Sequence, residues 1–323
     1  MVFDLISRIG DPFKRNVLAA CKEGERVNVS LLSERLDGSW GGTCGNITHC
    51  YACLGGKAIP VSALGHNAAD YIAHFKSLNV TMEYVVIDND TLSALCFVIT
   101  DKFNDQLNSF SEGPTMRAAE ISLAEVCENE KDVRLAIVSP SSHKLMLKQL
   151  EDCSQLDIDV IFDPGQQMVA FSGEDLRYAI SKCKYVFGNE YEITQIQEKT
   201  GWSIKEIEVM GKTIVITYGE KGSSLICPDR EREDVPACVN IEVDEPTGAG
   251  DAYRAGFMLG LERRYDLRIC AQLGSVAASF VVEVYGAQSH RYDFRRFIQR
   301  YEENYGPFPT TLKEEWVAVP SIV

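Results

Sequence analysis

The stretch Glu242-Val-Asp-Glu-Pro-Thr-Gly-Ala-Gly-Asp251, continued by Ala252-Tyr-Arg-Ala-Gly256, is the part of the sequence from which the fold can be inferred. An apolar run at 237–243 predicts a strand before it, and 252–261 predicts a helix behind it. The loop between them consists of small residues, so its amides can converge on an anion beside the positive end of the helix dipole. Two interpretations are open for Asp251: an ordinary helix cap, or a base held beside a phosphate cradle.

Three other motifs in this half of the chain each follow a predicted strand at the point where it ends. They are Asp163-Pro-Gly-Gln166 after 160–162, Asn189-Glu-Tyr-Glu192 after 185–187, and Thr217-Tyr-Gly-Glu-Lys-Gly222 after 213–217. Parallel strands bring their carboxyl ends to one edge of a sheet, where open α/β folds bind ligands. Each motif alone is weak evidence, but four motifs in this order favour the phosphate cradle.

Strands and helices alternate through most of the chain, which predicts an α/β fold with a parallel sheet covered on both faces. Between 82 and 110 the pattern changes to three strands without a helix, and 26–32 alternates like a fourth strand. These four strands predict a small separate sheet. The predicted large domain comprises 1–12, 41–81 and 113–323, and the predicted lid comprises 13–40 and 82–112.

The composition excludes several classes of function. The chain has 323 residues, a formal net charge of -15 and a pI of about 4.9, so it lacks the basic surface typical of nucleic-acid binding. The longest apolar runs fall short of the ~20 residues of a membrane span. The 11 scattered cysteines, without a predicted signal peptide, predict reduced thiols in a cytoplasmic protein.

Together the motifs resemble those of the ribokinase-like (PfkB-type) kinases, from about residue 2 to about residue 290. The matching segments are Asp244–Asp251 for the C-terminal motif, Gly41-Gly-Thr-Cys-Gly-Asn46 for the N-terminal glycine motif, and Asn189-Glu-Tyr-Glu192 for the magnesium and phosphate motif. Residues 162–166, 250–256 and 282–288 resemble the adenosine-kinase-like bacterial and archaeal members most. The resemblance implies a three-layer α/β/α domain with a mostly parallel central sheet, plus a small β-sheet lid.

The resemblance also implies transfer of a phosphoryl group from ATP to the 5′-hydroxymethyl group of a nucleoside. Asp251 would accept the hydroxyl proton, and Asn189 and Glu192 would organise Mg²⁺ through water, with Asp163 as a weaker candidate. The charge that builds up on the transferred group would be held by the backbone amides of Thr247, Gly248, Ala249 and Gly250. The residues implied to border ATP are Asn189, Thr217, Gly219, Gly222 and Thr247.

The first half of the chain would bind the acceptor. Asp4 would hold ribose hydroxyls, and Asn46 would add a donor and an acceptor. Gly41 and Gly42 would let the backbone approach the sugar and act as a lid hinge, so that closure excludes water as a competing acceptor. On the lid side, Phe13, Phe103 and Phe110 would either stack on a base or fill the core of the lid.

Two positions depart from the family pattern. Few residues precede Asp4, so either the start lies upstream or the first central strand is short. Glu245 stands where the family usually has Asp, which bears on a monovalent cation such as K⁺ near 244–247 and 282–288.

We therefore expect an ATP- and Mg²⁺-dependent kinase with adenosine or a related nucleoside as acceptor, active as a monomer or a homodimer. The first alternative is a sugar kinase on the same fold, and the second is a non-catalytic nucleotide-binding protein. Lys102 is the one basic residue within 84–110, which disfavours a phosphosugar.

Overall fold

Three sheets organise the protein in a computed structural model that describes residues 1–9, 31–101, 106–228 and 230–318. The largest has six strands in the order β12-β11-β10-β9-β8-β7, and β7 to β10 run parallel. Their carboxyl ends therefore meet at one edge. The strands are β7 Leu135–Val138, β8 Asp159–Phe162, β9 Tyr185–Asn189, β10 Thr213–Thr217, β11 Ser223–Ile226 and β12 Glu233–Val235.

Helices cover both faces of this sheet because successive strand residues point to opposite sides. Phe162 and Val186 belong to one core with residues of four helices between 143 and 209. Ile161 and Phe187 belong to another core with two helices between 249 and 281. The helices are α1 Thr43–Cys53, α2 Ala69–Ser77, α3 Leu123–Asn129, α4 His143–Gln155, α5 Gly173–Lys182, α6 Glu190–Thr200, α7 Ile204–Val209, α8 Ala249–Glu262, α9 Leu267–Val281, α10 Phe294–Tyr305 and α11 Thr310–Ala318.

The second sheet has four strands in the order β2-β1-β5-β6. Strand β1 pairs antiparallel with β2 and parallel with β5, which pairs antiparallel with β6. The predicted small β-sheet therefore exists beside the three-layer domain. Its strands are β1 Val2–Ile9, β2 Arg35–Gly41, β5 Ala94–Asp101 and β6 Gln106–Ser111.

The third sheet is a parallel pair, β3 Ser62–Gly65 and β4 Val85–Asp88. Strands β3 and β7 each stand at an edge of their sheets, and both line a cavity of about 1240 Å³. Among the described residues, no helix is long and apolar enough to cross a bilayer.

Strand pairing differs from the predicted division of the chain at two points. Strand β1 was expected in the large sheet, but it lies in the small one, and Val2–Ile6 are half-buried rather than enclosed on both faces. Residues 85–88 were expected in the lid, but they pair with β3. The predicted strand at 26–32 reaches outside the described residues.

The predicted strand at 237–243 is wrong, because no strand forms there. Val239 and Val243 are 65% and 63% exposed, so the apolar run is not a buried edge strand. Instead, the Val239 amide donates to Asn304 Oδ1 at 3.0 Å, which ties the segment to α10. The segment reaches the glycine loop as irregular chain held by side-chain contacts.

Candidate active site

A cavity of about 220 Å³ lies at the carboxyl edge of the large sheet, and we call it the nucleotide half of the site. This name, and that of the acceptor half below, follow the roles predicted from the sequence. Three parallel strands deliver polar groups to it, as the motif order predicts. Asp163 follows β8, Asn189 ends β9 and Thr217 ends β10. The predicted residues that line it are Asn189, Glu192, Thr217, Gly250 and Asp251.

Asn189 and Glu192 are placed by the cap of α6. The Glu192 amide donates to Asn189 Oδ1, and the Asn189 amide donates to Glu192 Oε2, both at 2.8 Å. This reciprocal capping box holds both oxygen-bearing side chains at the cavity wall. Burial raises the pKa of Glu192, the hydrogen bond from the Asn189 amide opposes this, and the Asp163 charge adds to it.

The glycine loop leads into α8, and Gly250 and Asp251 of its first turn line the same cavity. Gly248 is the N-cap at φ 86°, and a Cβ there would lie 2.7 Å from the Ala287 Cβ, so only glycine fits. The amides of Gly250 and Asp251 belong to the first turn, where a helix offers them no internal acceptor. Amides at a helix N-terminus bind anions, and these two residues line the cavity.

Asp251 lies where this half meets the acceptor residues. Asn46 Nδ2 donates to Asp251 Oδ2 at 2.8 Å. Burial raises the pKa of Asp251 to about 6; the Asn46 bond and Arg254 oppose the rise, whereas the charges of Asp163 and Asp4 add to it. A carboxyl with this pKa is ionised at neutral pH and still accepts a proton readily.

Arg254 is a site residue that the sequence analysis missed. Its guanidinium forms a two-pronged ion pair with Asp163 and donates from Nη1 to the Gly250 carbonyl at 2.9 Å. Arg254 and Asp163 are 8% and 1% exposed, so the pair is buried beneath the cavity. The sequence did contain a signal for this role, because Arg254 follows Asp251 by three residues and therefore lies on the same face of α8.

The other half of the site is the end of the 1240 Å³ cavity lined by Asp4, Gly42, Asn46 and Thr247, which we call the acceptor half. These four residues come from β1, the start of α1 and the glycine loop. Thr43, which the sequence analysis did not select, lines both cavities. The two halves are therefore adjacent, with Asp251 and Thr43 at their junction.

Asp4 and Gly41 are diagonal neighbours in the β1–β2 pair, where Asp4 stands opposite Ser39 and Gly41 opposite Val2. A Cβ on Gly41 would lie 1.9 Å from Asp4 Oδ2, so the missing side chain leaves the space that the carboxylate occupies. Burial, and after it the Glu245 charge, raise the pKa of Asp4 to about 6, against the opposing effect of the N-terminal ammonium group. Asp4 is thus a partly desolvated carboxyl inside the acceptor half.

Three predicted residues have mainly structural contacts here. Gly219 and Gly222 form the turn between β10 and β11, and a Cβ on Gly222 would lie 2.1 Å from the Val235 carbonyl oxygen. Ala249 is the first residue of α8, and its amide donates to the Pro246 carbonyl at 3.2 Å. Their roles beside ATP and the transferred group stay predictions.

The lid aromatics are only partly within the described residues. Phe110 is 53% exposed and lines the larger cavity, whereas Phe13 and Phe103 lie outside the described residues. Stacking of Phe110 on an acceptor stays a prediction.

Glu245 ties the glycine loop to the segment after α9. The amides of Asp244 and Glu245 both donate to the Val282 carbonyl, at 2.8 and 3.2 Å. The Gly286 amide donates to Glu245 Oε2 at 3.0 Å. The Glu245 side chain, which is longer than the aspartate usual in the family, therefore ties the glycine loop to the segment at Gly286.

A glycine-capped helix terminus beside a buried carboxylate and hard oxygen donors is the arrangement of a phosphoryl-transfer site. The sequence matches the family model described as pfkB family carbohydrate kinase over residues 14–293, and the chain belongs to this family. This confirms the resemblance and the ribokinase-like fold with its small β-sheet lid. The protein is an ATP-using phosphotransferase with an alcohol group as acceptor, in the class of nucleoside and sugar kinases.

Two relatives are similar along nearly their whole length. The chain is 31% identical over 287 residues to the nucleoside kinase of Methanothermobacter thermautotrophicus, covering 87% of this chain and 91% of that protein. It is also 31% identical to the Burkholderia thailandensis nucleoside kinase in complex with inosine, with a TM-score of 0.84 and coverage of 95% and 97%. The complex of that kinase with ADP-inosine gives a TM-score of 0.81.

Proposed function

We propose that this protein phosphorylates the 5′-hydroxyl of a nucleoside, adenosine or a related purine nucleoside, with ATP as donor. The observation that carries the proposal is the position of Asp251, at the junction of a nucleotide half and an acceptor half. The kinase from Burkholderia thailandensis, 31% identical, was solved with inosine and with ADP-inosine, which supports a purine nucleoside as acceptor.

The reaction then follows from the placement of the groups. The acceptor's 5′-oxygen attacks the γ-phosphorus of ATP, the bond to the β,γ-bridging oxygen breaks, and ADP leaves with that electron pair. Asp251 takes the proton of the attacking hydroxyl, while the amides of Gly248, Gly250 and Asp251 stabilise the charge on the equatorial oxygens. Asp4 and Asn46 hold the ribose so that the reacting oxygen faces the phosphorus.

Hard oxygen donors in the nucleotide half fit Mg²⁺. Within the described residues no three His, Cys, Asp or Glu side chains form a metal cage, but Mg²⁺ in kinases is held by one or two protein groups, water and phosphates. Glu192 and Asn189 would hold it through water, near Asp163. The ion would neutralise phosphate charge in a site whose carboxylates outnumber its one arginine.

Three further features are part of the proposal. A monovalent cation such as K⁺ would lie near 244–247 and 282–288, beside the loop that Glu245 braces. A cytoplasmic location is supported by the cysteines of the described residues, which are all free thiols. The protein would act as a monomer or a homodimer.

A sugar acceptor is the second candidate. The ribokinase of Lactococcus lactis is 26% identical over 169 residues, which is 51% of this chain. Asp4 would hold the hydroxyls of ribose in either case, so the base pocket alone separates the two candidates.

A panel of acceptors with Mg²⁺ and ATP tests the proposal. We expect adenosine, inosine or guanosine to yield ADP together with a nucleoside 5′-monophosphate, identified by mass spectrometry. An Asp251→Asn preparation purified in the same way controls for contaminating kinases. Phosphorylation of ribose or fructose without any nucleoside activity would refute the nucleoside proposal, and turnover of no acceptor would refute both candidates.

A further inference from the structure

A buried chain of hydrogen bonds leads from Asp251 to the end of β2. Asn46 links Asp251 to Gln288, whose Nε2 donates to Asn46 Oδ1 at 2.9 Å. The same Nε2 donates to the Tyr71 hydroxyl at 2.7 Å, and that hydroxyl donates to the Gly41 carbonyl, also at 2.7 Å. Gln288 ends the 282–288 segment, and neither it nor Tyr71 has a role in the proposed proton transfer so far.

The donor and acceptor roles along this series of hydrogen bonds agree with one another. Both N–H groups of Gln288 are used, so Asn46 must present its oxygen to Gln288 and its NH₂ group to Asp251. A flipped Asn46 would place its oxygen against Asp251 Oδ2, which is also an acceptor. Gln288 therefore favours the same orientation of Asn46 that Asp251 requires, and it does so with its own Oε1 buried and not hydrogen-bonded to any described residue.

Burial makes this selection strict. Asn46 and Gln288 are each 5% exposed and Tyr71 is 0% exposed, so water has little access to replace a lost partner. Tyr71 is itself immobilised by aromatic rings, with Trp40 stacked at 5.8 Å and Phe3 edge-on at 5.4 Å between ring centroids.

We propose that Gln288 and Tyr71 are positioning residues that hold the Asn46 amide toward Asp251 and so orient the base for proton transfer. The proposal rests on the proposed function, in which Asp251 is the base. Neither residue touches the reacting atoms, because both act through Asn46. The series of hydrogen bonds also ends at the Gly41 carbonyl, at the end of strand β2. One network therefore links the proposed base to the strand that borders the acceptor half.

The first test replaces Gln288 by methionine, which keeps the length and removes the hydrogen bonds. We expect kcat of Gln288→Met to fall about 3- to 10-fold, the effect of one misplaced neutral hydrogen bond, while the KM for ATP stays within about twofold. Tyr71→Phe should lower kcat less, by about 2- to 3-fold, because Gln288 keeps its bond to Asn46. Tyr71→Phe also serves as the test if Gln288→Met fails to fold.

The chain offers a matched control pair away from the site. Gln272 is also 5% exposed, and its Oε1 accepts a hydrogen bond from Tyr301 at 2.6 Å. Gln272→Met and Tyr301→Phe should therefore lower thermal stability as much as the test variants do, but leave kcat unchanged. An equal fall of kcat in the controls would show a general structural effect and overturn the proposal.

A double-mutant cycle with Asn46 decides whether Gln288 acts through it. In an Asn46→Ala background, Gln288→Met should change kcat by less than about twofold, since the amide it orients is gone. A full additional loss of kcat, or an unchanged kcat in the Gln288→Met single variant, would overturn the positioning role. Turnover by the wild type separates the proposed kinase function from the positioning role. If the wild type is active, the proposed function stands whatever the result of the double-mutant cycle. If the wild type is inactive, both proposals are overturned.

Discussion

The nucleotide half and the acceptor half are assembled in different ways. In the nucleotide half, Asn189 and Glu192 bond each other across three positions of one helix cap. In the acceptor half, Asn46 reaches Asp251 across 205 positions and Gln288 across 242. The first arrangement is local and forms wherever α6 forms, whereas the second exists only when α1, α8 and the segment after α9 are packed together.

The difference implies different sensitivities. A change at the Asn189–Glu192 pair should alter nucleotide or metal use without disturbing the acceptor half, because one helix cap places both side chains. A change in the acceptor half should propagate to the base, because Asp4, Asn46 and Asp251 share hydrogen bonds and electrostatic contacts.

Asp251→Asn is the largest expected perturbation, since it removes the proposed base at the junction of the two halves. We expect kcat to fall about 10³-fold or more, while ATP still binds through the nucleotide half. Turnover from a coupled ADP assay and ATP affinity from calorimetry measure the two effects. The control is Asp266→Asn, which changes the N-cap of α9, where Asp266 accepts from the Arg268 amide at 3.0 Å. A kcat within about tenfold of wild type would remove Asp251 from the role of base.

Asp4→Ala tests the acceptor half. The lost charged hydrogen bonds to the acceptor should raise its KM about 10- to 100-fold and leave the KM for ATP unchanged. Initial-rate kinetics with each substrate varied give both constants. Asp37→Ala changes a carboxylate of the neighbouring strand that pairs with Arg35, and it should alter neither constant. An effect confined to the KM for ATP would reverse the assignment of the two halves.

Glu192→Gln tests the nucleotide half. Glutamine keeps an acceptor for the Asn189 amide but loses the charge, so the Mg²⁺ concentration for half-maximal rate should rise about tenfold. The matched control is Glu206→Gln in the capping box of α7, where the Ser203 amide donates to Glu206 Oε2 at 2.7 Å. If the control shifts the Mg²⁺ requirement equally, the effect comes from helix capping and not from metal binding.

The pH profile gives the smallest effect and tests the coupling between the halves. Asp251 must be ionised to accept a proton, and its pKa is raised to about 6, so kcat should fall as the pH drops through about 6. The Asp4 charge contributes to that rise, and Asp4→Asn should therefore move the acid limb to lower pH by a few tenths of a unit. A limb that moves upward, or stays in place, would show that the two carboxyls do not interact.

Much of the large domain could be predicted from local patterns. The strands at 160–162, 185–187 and 213–217 lie where their apolar runs predicted them, because each is a short buried run bounded by turn signals. The predicted polar residues at their ends do meet at one edge, as parallel pairing requires.

The misplaced segments share one cause. The apolar residues of 237–243 have the pattern of a buried strand. In the structure the segment is irregular chain, held by a side-chain contact with α10. Strands β1 and β4 were recognised as strands, but their pairing partners, β5 and β3, are distant in sequence. Periodicity identifies a strand, and the partner is decided by tertiary packing.

The sequence by itself determined the kinase family and the helix behind the glycine loop, because each motif, and the loop with its helix, consists of residues within a few positions of one another. Only the tertiary structure decided that Arg254 pairs with Asp163 and that Gln288 hydrogen-bonds Asn46. Hydrogen bonds between distant residues form where packing excludes water and leaves one partner in reach. That choice depends on the whole fold and is absent from any short stretch of the chain.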